Sequence, residues 1–437
     1  MLEFLFSKTP LLYFVQDFWR DEAFTAILSQ KKLLDIIYLT ARDFNPPLYY
    51  ILVHFWIKLF GHSEIAIRSL SFLFFAGTAL AVFLLMEQVF KFRPKKAYIY
   101  LLVFLFNPLL LYNAFEARMY SMLAFFATLS WYFLKTEKRK SYVVATTLGL
   151  YTHYFMVFVL ASQIFYIVSS HFLKKKIKLL DYKEIGLVFI FFVPWLIFLI
   201  SSHSFSKENF WILKPQFETY AHMPSLLYTG YEFGFRFFQN YLFPLTIFFN
   251  IVPLYGLYKL RQQSEKYRDI FVLLTSWAFI PVFITFGISL FNPLFLPRYL
   301  IASSVGLTLL IIYVIDEFPV LLKLLLIAFL IFYSSLYLQL HLQKRAKAPV
   351  KKAFYEIKLL SRGDEPLYVT DELDFFTAQY YFDQNRIYIF SKDYGEIPSY
   401  TGKVLIPKGK IVNRLPYYPK KAFVLKDDHS YTIEALY

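Results

Sequence analysis

The sequence predicts an all-α polytopic membrane protein followed by a small C-terminal α/β soluble domain, and three observations predict it. The 437 residues are 58% hydrophobic and 22% aromatic, whereas only 18% are charged, below the near-quarter typical of soluble domains. The apolar residues are gathered into long blocks, and about 20 such residues in a helix cross a hydrocarbon slab roughly 30 Å thick. After Leu340 the blocks stop and mixed, turn-rich sequence begins. Strands span a bilayer only as closed barrels with alternating polarity, and that alternation is absent here, so the spans are helical.

The blocks run from Ile65 to Phe90, Ala97 to Tyr112, Met119 to Leu134, Tyr142 to Tyr151, Tyr154 to Leu173 and Ile185 to Ser201. They continue at Tyr241–Tyr258, Ile270–Phe291, Tyr299–Ile315 and Val320–Leu340. Parity calls for a further span before Asp17, giving about eleven in all. There Met1–Val15, with Lys8 and Pro10 inside, covers only about 22 Å as a helix. The expectation is either a short span in which Lys8 snorkels or a start further upstream. Basic connections at Lys91–Lys96, Lys135–Lys140, Lys174–Lys178 and Lys259–Arg268 are each two spans apart, which places all of them on the cytoplasmic side. The turn Asp316–Pro319 joins them by parity alone. The opposite loops, including the long aromatic one from Ser202 to Asn240, then face outward. Residues 1–340 are expected to form the membrane domain and 341–437 an accessory domain outside. Within that tail, Pro366–Phe390 reads as strand, short helix and strand, with Asp371 as a helix cap; GKVLIP and KKAFVLK read as further strands.

The net charge of +15 does not indicate nucleic acid, because the basic residues sit in short loops between spans. With no Cys, disulfides, thiolate catalysis and Cys-ligated zinc are excluded. No cleavable signal peptide is visible, and the expected location is the plasma membrane.

The first outward segment, Phe14–Phe72, carries the densest chemistry. Asp21 and Glu22 lie side by side next to the membrane, where carboxylates are costly and usually have a task. Phe24, Ile27, Leu28, Leu34 and Ile37 fit an amphipathic helix lying on the interface. Asn45-Pro46-Pro47 reads as a helix start, with Asn45 as cap. The helix that follows sets Tyr50, His54 and Lys58 on one stripe.

DFWRDEAF (from Asp17), D-x-N-P-P-L-Y-Y (from Asp43), FGHSEIAIR (ending at Arg68), EARMYS (from Glu116), YTHYF (around His153) and PRYL (from Pro297) occur in this order. The order resembles that of bacterial relatives of the protein O-mannosyltransferases, glycosyltransferase family 39 with the GT-C fold, a family that includes the aminoarabinose transferases of lipid A. The resemblance covers about Phe14 to Leu300. In relatives the residue before the proline pair is commonly His or Lys, where this chain has Asn45. The resemblance implies a GT-C membrane domain with juxtamembrane helices in the first outward loop. It also implies transfer of a sugar from a polyprenyl-phosphate donor to an extracytoplasmic lipid, glycan or protein hydroxyl, by a single inverting displacement. Such a reaction needs a base for the acceptor and cations for the departing phosphate. Asp21 is the expected base, and Glu22 is expected to orient the acceptor or hold a divalent cation (Mg, Mn or Zn). Asp43, Arg68, Glu116, Arg118, His153, Arg298 and Tyr299 are the expected substrate-binding residues.

Each candidate also has a structural reading. Asp21 and Glu22 suit the first turn of an interfacial helix, Asp43 a turn, Arg118 snorkelling or pairing with Glu116, Arg298 and Tyr299 interface anchoring, and His153 packing in a tight turn. For the whole chain the alternatives are a lipid or sugar flippase, which would place ionisable groups at mid-membrane in paired broken helices, and a non-catalytic scaffold.

Overall fold

The computed structural model describes residues 2–174, 180–202, 211–232, 239–344, 347 and 349–437. The basic stretch 174–178 and the loop 202–240 therefore lie partly outside the described residues. The chain divides into two compact units: a helical one made of Met1–Leu11, Ser71–Leu196 and Trp211–Lys344, and a mixed one made of Leu12–Leu70, Ile197–Phe210 and Arg345–Tyr437.

In chain order the first helices are α1 (Leu2–Lys8), α2 (Leu12–Val15), α3 (Arg20–Ser29), α4 (Leu33–Arg42), α5 (Leu48–Phe60) and α6 (Glu64–Leu84). The bundle continues with α7 (Pro94–Leu105), α8 (Pro108–Ala114), α9 (Tyr120–Lys135), α10 (Arg139–Thr152), α11 (Met156–Lys174) and α12 (Leu180–Ser202). Next come α13 (Phe217–Ala221), α14 (Met223–Thr229), α15 (Gln239–Lys259), α16 (Glu265–Ser289), α17 (Ile301–Ile315) and α18 (Val320–Lys344). The tail adds α19 (Val350–Leu360) and α20 (Phe375–Tyr381) among the strands β1 (Leu367–Val369), β2 (Ile387–Phe390), β3 (Ile411–Val412), β4 (Ala422–Leu425) and β5 (Tyr431–Glu434).

Every apolar block from Ile65 onward forms helix. Among the described residues six helices are long and apolar enough to cross a membrane, and the bent pair α7–α8 makes a seventh if taken as one span. The protein is thus a multi-pass, mostly helical membrane protein. The expected count of about eleven is approached only by including shorter helices: α9 and α10 have 16 and 14 residues, about 24 and 21 Å. The stretch before Asp17 is two short helices of seven and four residues rather than one span. The expected span Ala97–Tyr112 is broken. Pro108 cannot donate a backbone hydrogen bond, and Asn107 caps the second piece by accepting from the Leu110 N–H at 3.0 Å, so the axis turns by 76°. Asn107 Nδ2 also donates to Ser304 Oγ and Thr308 Oγ1, both at 2.9 Å, which fixes the bend against α17.

In α17 every residue from Ile301 to Ile315 is buried, which makes it the centre of the helical unit. A Cβ at Gly306 would lie 2.7 Å from the Trp277 ring and 3.0 Å from the Ala278 nitrogen, so glycine permits the close packing of α16 on α17. By contrast α12 and α18 expose Ile190, Ile197, Ile200, Leu321, Leu325 and Phe332, as helices facing lipid do.

Ion pairs gather the basic loops at one end of this unit. Lys96 Nζ is 2.5 Å from Asp316, and Asp316 also accepts from Lys323 Nζ at 3.0 Å and Tyr100 Oη at 2.8 Å. Lys135 pairs with Asp269, Arg139 Nη1 lies 3.8 Å from Glu184, and Gln263 Nε2 donates to Glu317 at 3.1 Å. Asp316, in the turn placed by parity alone, is therefore paired with Lys96 of a basic loop and with Lys323 of α18.

The tail is a five-stranded sheet of order β3-β2-β1-β4-β5, parallel except for β5, which runs antiparallel to β4. Strand, short helix and strand over Pro366–Phe390 are β1, α20 and β2, and the Asp371 side chain accepts from the Leu373 N–H as a cap. KKAFVLK supplies β4. GKVLIP, expected as a strand, is instead a 3-10 turn over Lys403–Leu405. Gly402 sets this turn: its φ is +79°, and a Cβ there would lie 2.6 Å from the Phe24 ring, so the chain curls where Phe24 approaches. Within the mixed unit α20 packs on α3, with the Phe24 and Phe376 rings edge to face at 5.3 Å.

Candidate functional site

Two groups of the expected residues are assembled, one in each unit. In the mixed unit, Trp19 is extended and α3 begins at Arg20, with Asp21 and Glu22 in its first turn, where carboxylates complement the helix dipole. Residues Glu22 to Ser29 are all buried, so α3 is a packed helix and not the interfacial one expected. The amphipathic pattern belongs to α4, which exposes Leu33, Leu34 and Tyr38.

Glu22 is fully buried and held by two cations. Arg68 Nε donates to Glu22 Oε1 at 2.8 Å and Nη2 to Oε2 at 2.7 Å; Lys347 Nζ donates to Oε2 at 2.7 Å. Burial alone would raise the Glu22 pKa, but the Arg68 and Lys347 charges outweigh it and hold the carboxyl well below the usual range. Arg68, also fully buried, spends its remaining donors on the carbonyls of Phe14 (3.1 Å), Gln16 (2.5 Å) and Asp17 (3.2 Å). Its guanidinium lies 4.9 Å from the Phe18 ring centroid. Expected as a phosphate contact, Arg68 instead fastens Glu22 and the Phe14–Phe18 turn, because its donors all meet acceptors of its own unit. Asp21 is half-buried, and its carbonyl accepts from Thr25 Oγ1 at 3.0 Å.

Asp43 ends α4. The Asn45 side chain does not cap α5, whose N-cap is Pro47; its amide donates to the Asp43 carboxylate at 2.7 Å and carbonyl at 3.2 Å. The intervening Phe44 takes a φ of +53°, which turns the chain back so that a near carboxylate outcompetes the helix end. Of the expected stripe, Tyr50 and His54 are buried, with His54 Nδ1 2.8 Å from the Ser29 carbonyl, and Lys58 is exposed.

In the helical unit, α9, α10 and α17 each run between the ion-paired end and the end that carries Arg118, His153 and Arg298. The bent α8 leads into a turn in which the Arg118 N–H donates to the Glu116 carbonyl at 2.8 Å, and Ser71 Oγ donates to the Arg118 carbonyl at 3.2 Å. Glu116 is buried. His153 closes α10 in an extended conformation, and its Nδ1 accepts from the Phe155 N–H at 3.2 Å, which leaves Nε2 to carry the proton. Its ring centroid lies 5.3 Å from Tyr299 and 5.9 Å from Tyr120. Burial, and then the Arg118 charge, push its pKa well below the ordinary range, so the ring is neutral at pH 7. Arg298 Nη1 is 3.6 Å from Glu232 Oε1, and its guanidinium lies 5.5 Å from the Trp211 ring. Arg118, His153 and Tyr299, three sequence candidates distant along the chain, are thus brought together, with Arg298 next to Tyr299.

Sequence reasoning missed Lys347, Arg20, Asp374 and Glu232. Lys347 belongs to the run QKRAKAPVKK, which reads as ordinary juxtamembrane basicity, and nothing local distinguishes it. Among the described residues no three His, Asp or Glu side chains are gathered as a metal site. A cation at Glu22 would face Arg68 and Lys347, so that residue does not fit the role of metal ligand.

Residues 45–198 match the family model of dolichyl-phosphate-mannose-protein mannosyltransferase, which agrees with the resemblance carried by the sequence motifs. No curated protein sequence matches the chain. Two solved structures share its fold. The crystal structure of ArnT from Cupriavidus metallidurans in the apo state superposes with a TM-score of 0.67 at 13% identity, covering 95% of this chain and 91% of that one. The same enzyme bound to undecaprenyl phosphate gives 0.63 at 13% identity and the same coverage. The fold is therefore the GT-C membrane fold with its C-terminal domain.

Proposed function

We propose that the chain is a membrane glycosyltransferase that moves a sugar from a polyprenyl-phosphate donor to a hydroxyl of an extracytoplasmic lipid, glycan or protein. The observation that carries this reading is the fold shared over 95% of the chain with a structure described as bound to undecaprenyl phosphate, joined to the mannosyltransferase match over residues 45–198. In the proposed step Asp21 takes the acceptor O–H proton and the acceptor oxygen bonds to the anomeric carbon. The carbon–phosphate oxygen bond breaks, and the electron pair leaves with polyprenyl phosphate, inverting the anomeric centre. Glu22 is buried and paired with Arg68 and Lys347, which leaves the half-buried Asp21 as the better base of the two. Arg118 and Arg298 are proposed to bind the phosphate, since guanidinium is charged at any working pH and offers paired donors. Neutral His153, with Nε2–H as donor, and Tyr299 are proposed to line the same donor end, and Glu116 to support Arg118; Asp43 is the reserve candidate for the base. Glu22 is not proposed as a metal ligand, because its carboxylate already accepts from Arg68 and Lys347. The proposed location is the plasma membrane, with the ion-paired end of the bundle in the cytoplasm.

The test is transfer from a panel of polyprenyl-phosphate-linked hexoses and pentoses by the full-length protein in nanodiscs. Wild type should transfer at least one of them, and Asp21→Asn should lower turnover by about a hundredfold or more, the scale of general-base catalysis, with donor binding retained. Full activity of Asp21→Asn would move the base to Asp43. Movement of lipid across vesicles without any transfer would favour the flippase.

A further inference from the structure

We infer that the C-terminal segment supplies the positioning residues for Asp21: Lys347 holds its neighbour Glu22, and Asp371 with Asp374 holds its other neighbour, Arg20. The inference rests on the reading of Asp21 as the base. Arg20 Nη2 is 2.5 Å from Asp371 Oδ2 and Nε is 3.4 Å from Asp374 Oδ1. On the other side Lys347 Nζ is 2.7 Å from Glu22, and the Lys347 N–H donates to Gln16 Oε1 at 3.1 Å. All of these residues lie within the mixed unit.

The helix geometry makes the two anchors complementary. At 3.6 residues per turn, successive side chains point about 100° apart, so residues 20 and 22 leave α3 about 200° apart with residue 21 between them. A tether on one side alone would let the first turn roll about its axis. Charge-assisted tethers on both sides fix that rotation, and with it the direction in which Asp21 projects. The sheet topology shows how the tail came to supply one of them. Strand β1 lies between β2 and β4, both parallel to it, and in open α/β sheets the crevice outside the strand ends at such a switch point is the usual ligand site. Here the chain leaving β1 provides Asp371 and Asp374, and the turn after β4 provides His429, whose Nε2 is 3.4 Å from Asp374. Thr370 Oγ1 donates to Asp427 at 2.8 Å across the same strand ends. The side chain received at this edge is Arg20. The tail is therefore part of the catalytic apparatus, acting through the direction of one carboxylate.

The test compares full-length wild type with Lys347→Met, Lys347→Arg and Asp371→Asn/Asp374→Asn in nanodiscs, on whichever polyprenyl-phosphate sugar wild type transfers. These substitutions leave Arg68 and Glu22 themselves unchanged, so the two hydrogen bonds between them remain. Turnover should fall by about tenfold or more in Lys347→Met and in the double variant, the scale expected when a reacting group is displaced by a fraction of an ångström to an ångström. The donor KM should stay within about twofold, because the tail is assigned no donor contact, and Lys347→Arg, which keeps a charged donor to Glu22, should retain more of the rate than Lys347→Met. Amide exchange should rise across Arg20–Phe24. Wild-type turnover in Lys347→Met, or a loss confined to KM, overturns the inference. If wild type transfers no sugar at all, the function proposed above fails, and exchange then decides the inference separately. Unchanged exchange across Arg20–Phe24 in Lys347→Met overturns the anchoring, and a local rise supports it for whatever chemistry Asp21 performs.

Discussion

The two units surround their candidate groups differently. In the mixed unit charge meets charge: Glu22 is enclosed by Arg68 and Lys347, and Arg20 by Asp371 and Asp374. In the helical unit rings take a larger share: His153 packs on Tyr120 and Tyr299, and the Arg298 guanidinium lies near Trp211 as well as 3.6 Å from Glu232. Ion pairs are directional and fix where a backbone points. Aromatic walls exclude water and leave a nearby guanidinium electrostatically strong. The first arrangement suits the orientation of a base, the second the binding of an anionic lipid headgroup.

The comparison breaks most visibly at Glu22. Glu22→Gln leaves Arg68 and Lys347 buried without a counter-charge, and losing one partner of a buried pair costs about 3–5 kcal/mol. Denaturation of the mixed unit, followed by amide exchange, should show this loss, and adding Lys347→Met should recover part of it. No loss in the single variant would mean that the pair is not sequestered.

In the helical unit a change of similar kind should appear in binding instead. Arg118→Ala and Arg298→Ala should each weaken binding of undecaprenyl phosphate by about 1.5–3 kcal/mol, the worth of a hydrogen bond to a charged group. Calorimetry on nanodisc protein measures this directly, and wild-type affinity in both variants would remove phosphate binding from that end of the bundle.

Acid sharpens the contrast further, since the two depressed pKa values act in different windows. His153 has a folded pKa below its ordinary value of 6.5, so its contribution is complete above pH 6.5. That contribution is lost as pH falls below this, by about 1.4 kcal/mol per pH unit at most. Glu22, lowered from an ordinary value of 4.5, keeps its contribution until pH drops below that value. Unfolding at pH 5.5 should therefore weaken the helical unit and spare the mixed unit, and His153→Phe should abolish the difference.

The smallest expected effect is that of cysteine labelling, since exposed surface substitutions usually change stability by no more than about 0.5 kcal/mol. The native chain has no Cys, so Lys138→Cys at the ion-paired end and Ser399→Cys in the tail can be probed without background. Impermeant reagent applied outside cells should reach Ser399→Cys and not Lys138→Cys, and the reverse would invert the proposed orientation.

Much of the fold was legible because apolar blocks and basic loops are local signals, and the helices from α6 to α18 fall where those blocks fall, apart from the short α13 and α14, which lie in the loop expected between two blocks. The bend at Asn107-Pro108 was written in the sequence as a cap and a proline, but a continuous apolar block outweighed it. GKVLIP carries a short apolar run that reads as a strand, yet Gly402 and the approach of Phe24 make it a turn, and that approach is tertiary. The candidate residues were legible as residue types in order along the chain. Their partners were not: Glu22 and Lys347 are 325 residues apart, Arg20 and Asp371 351. No window of sequence contains both halves of either pair.

That separation has a consequence for the order in which the protein is made. At about 5–20 residues per second, the ribosome reaches Lys347 roughly 15–65 s after Glu22. Through that interval α3 lacks α20, and Glu22 lacks Lys347 while Arg68 has already been made. On the inference drawn above, a chain that stops before the tail would hold Glu22 through Arg68 and lack the Lys347, Asp371 and Asp374 contacts on either side of Asp21. The contacts that flank Asp21 in the finished chain are thus among the last that its synthesis makes possible.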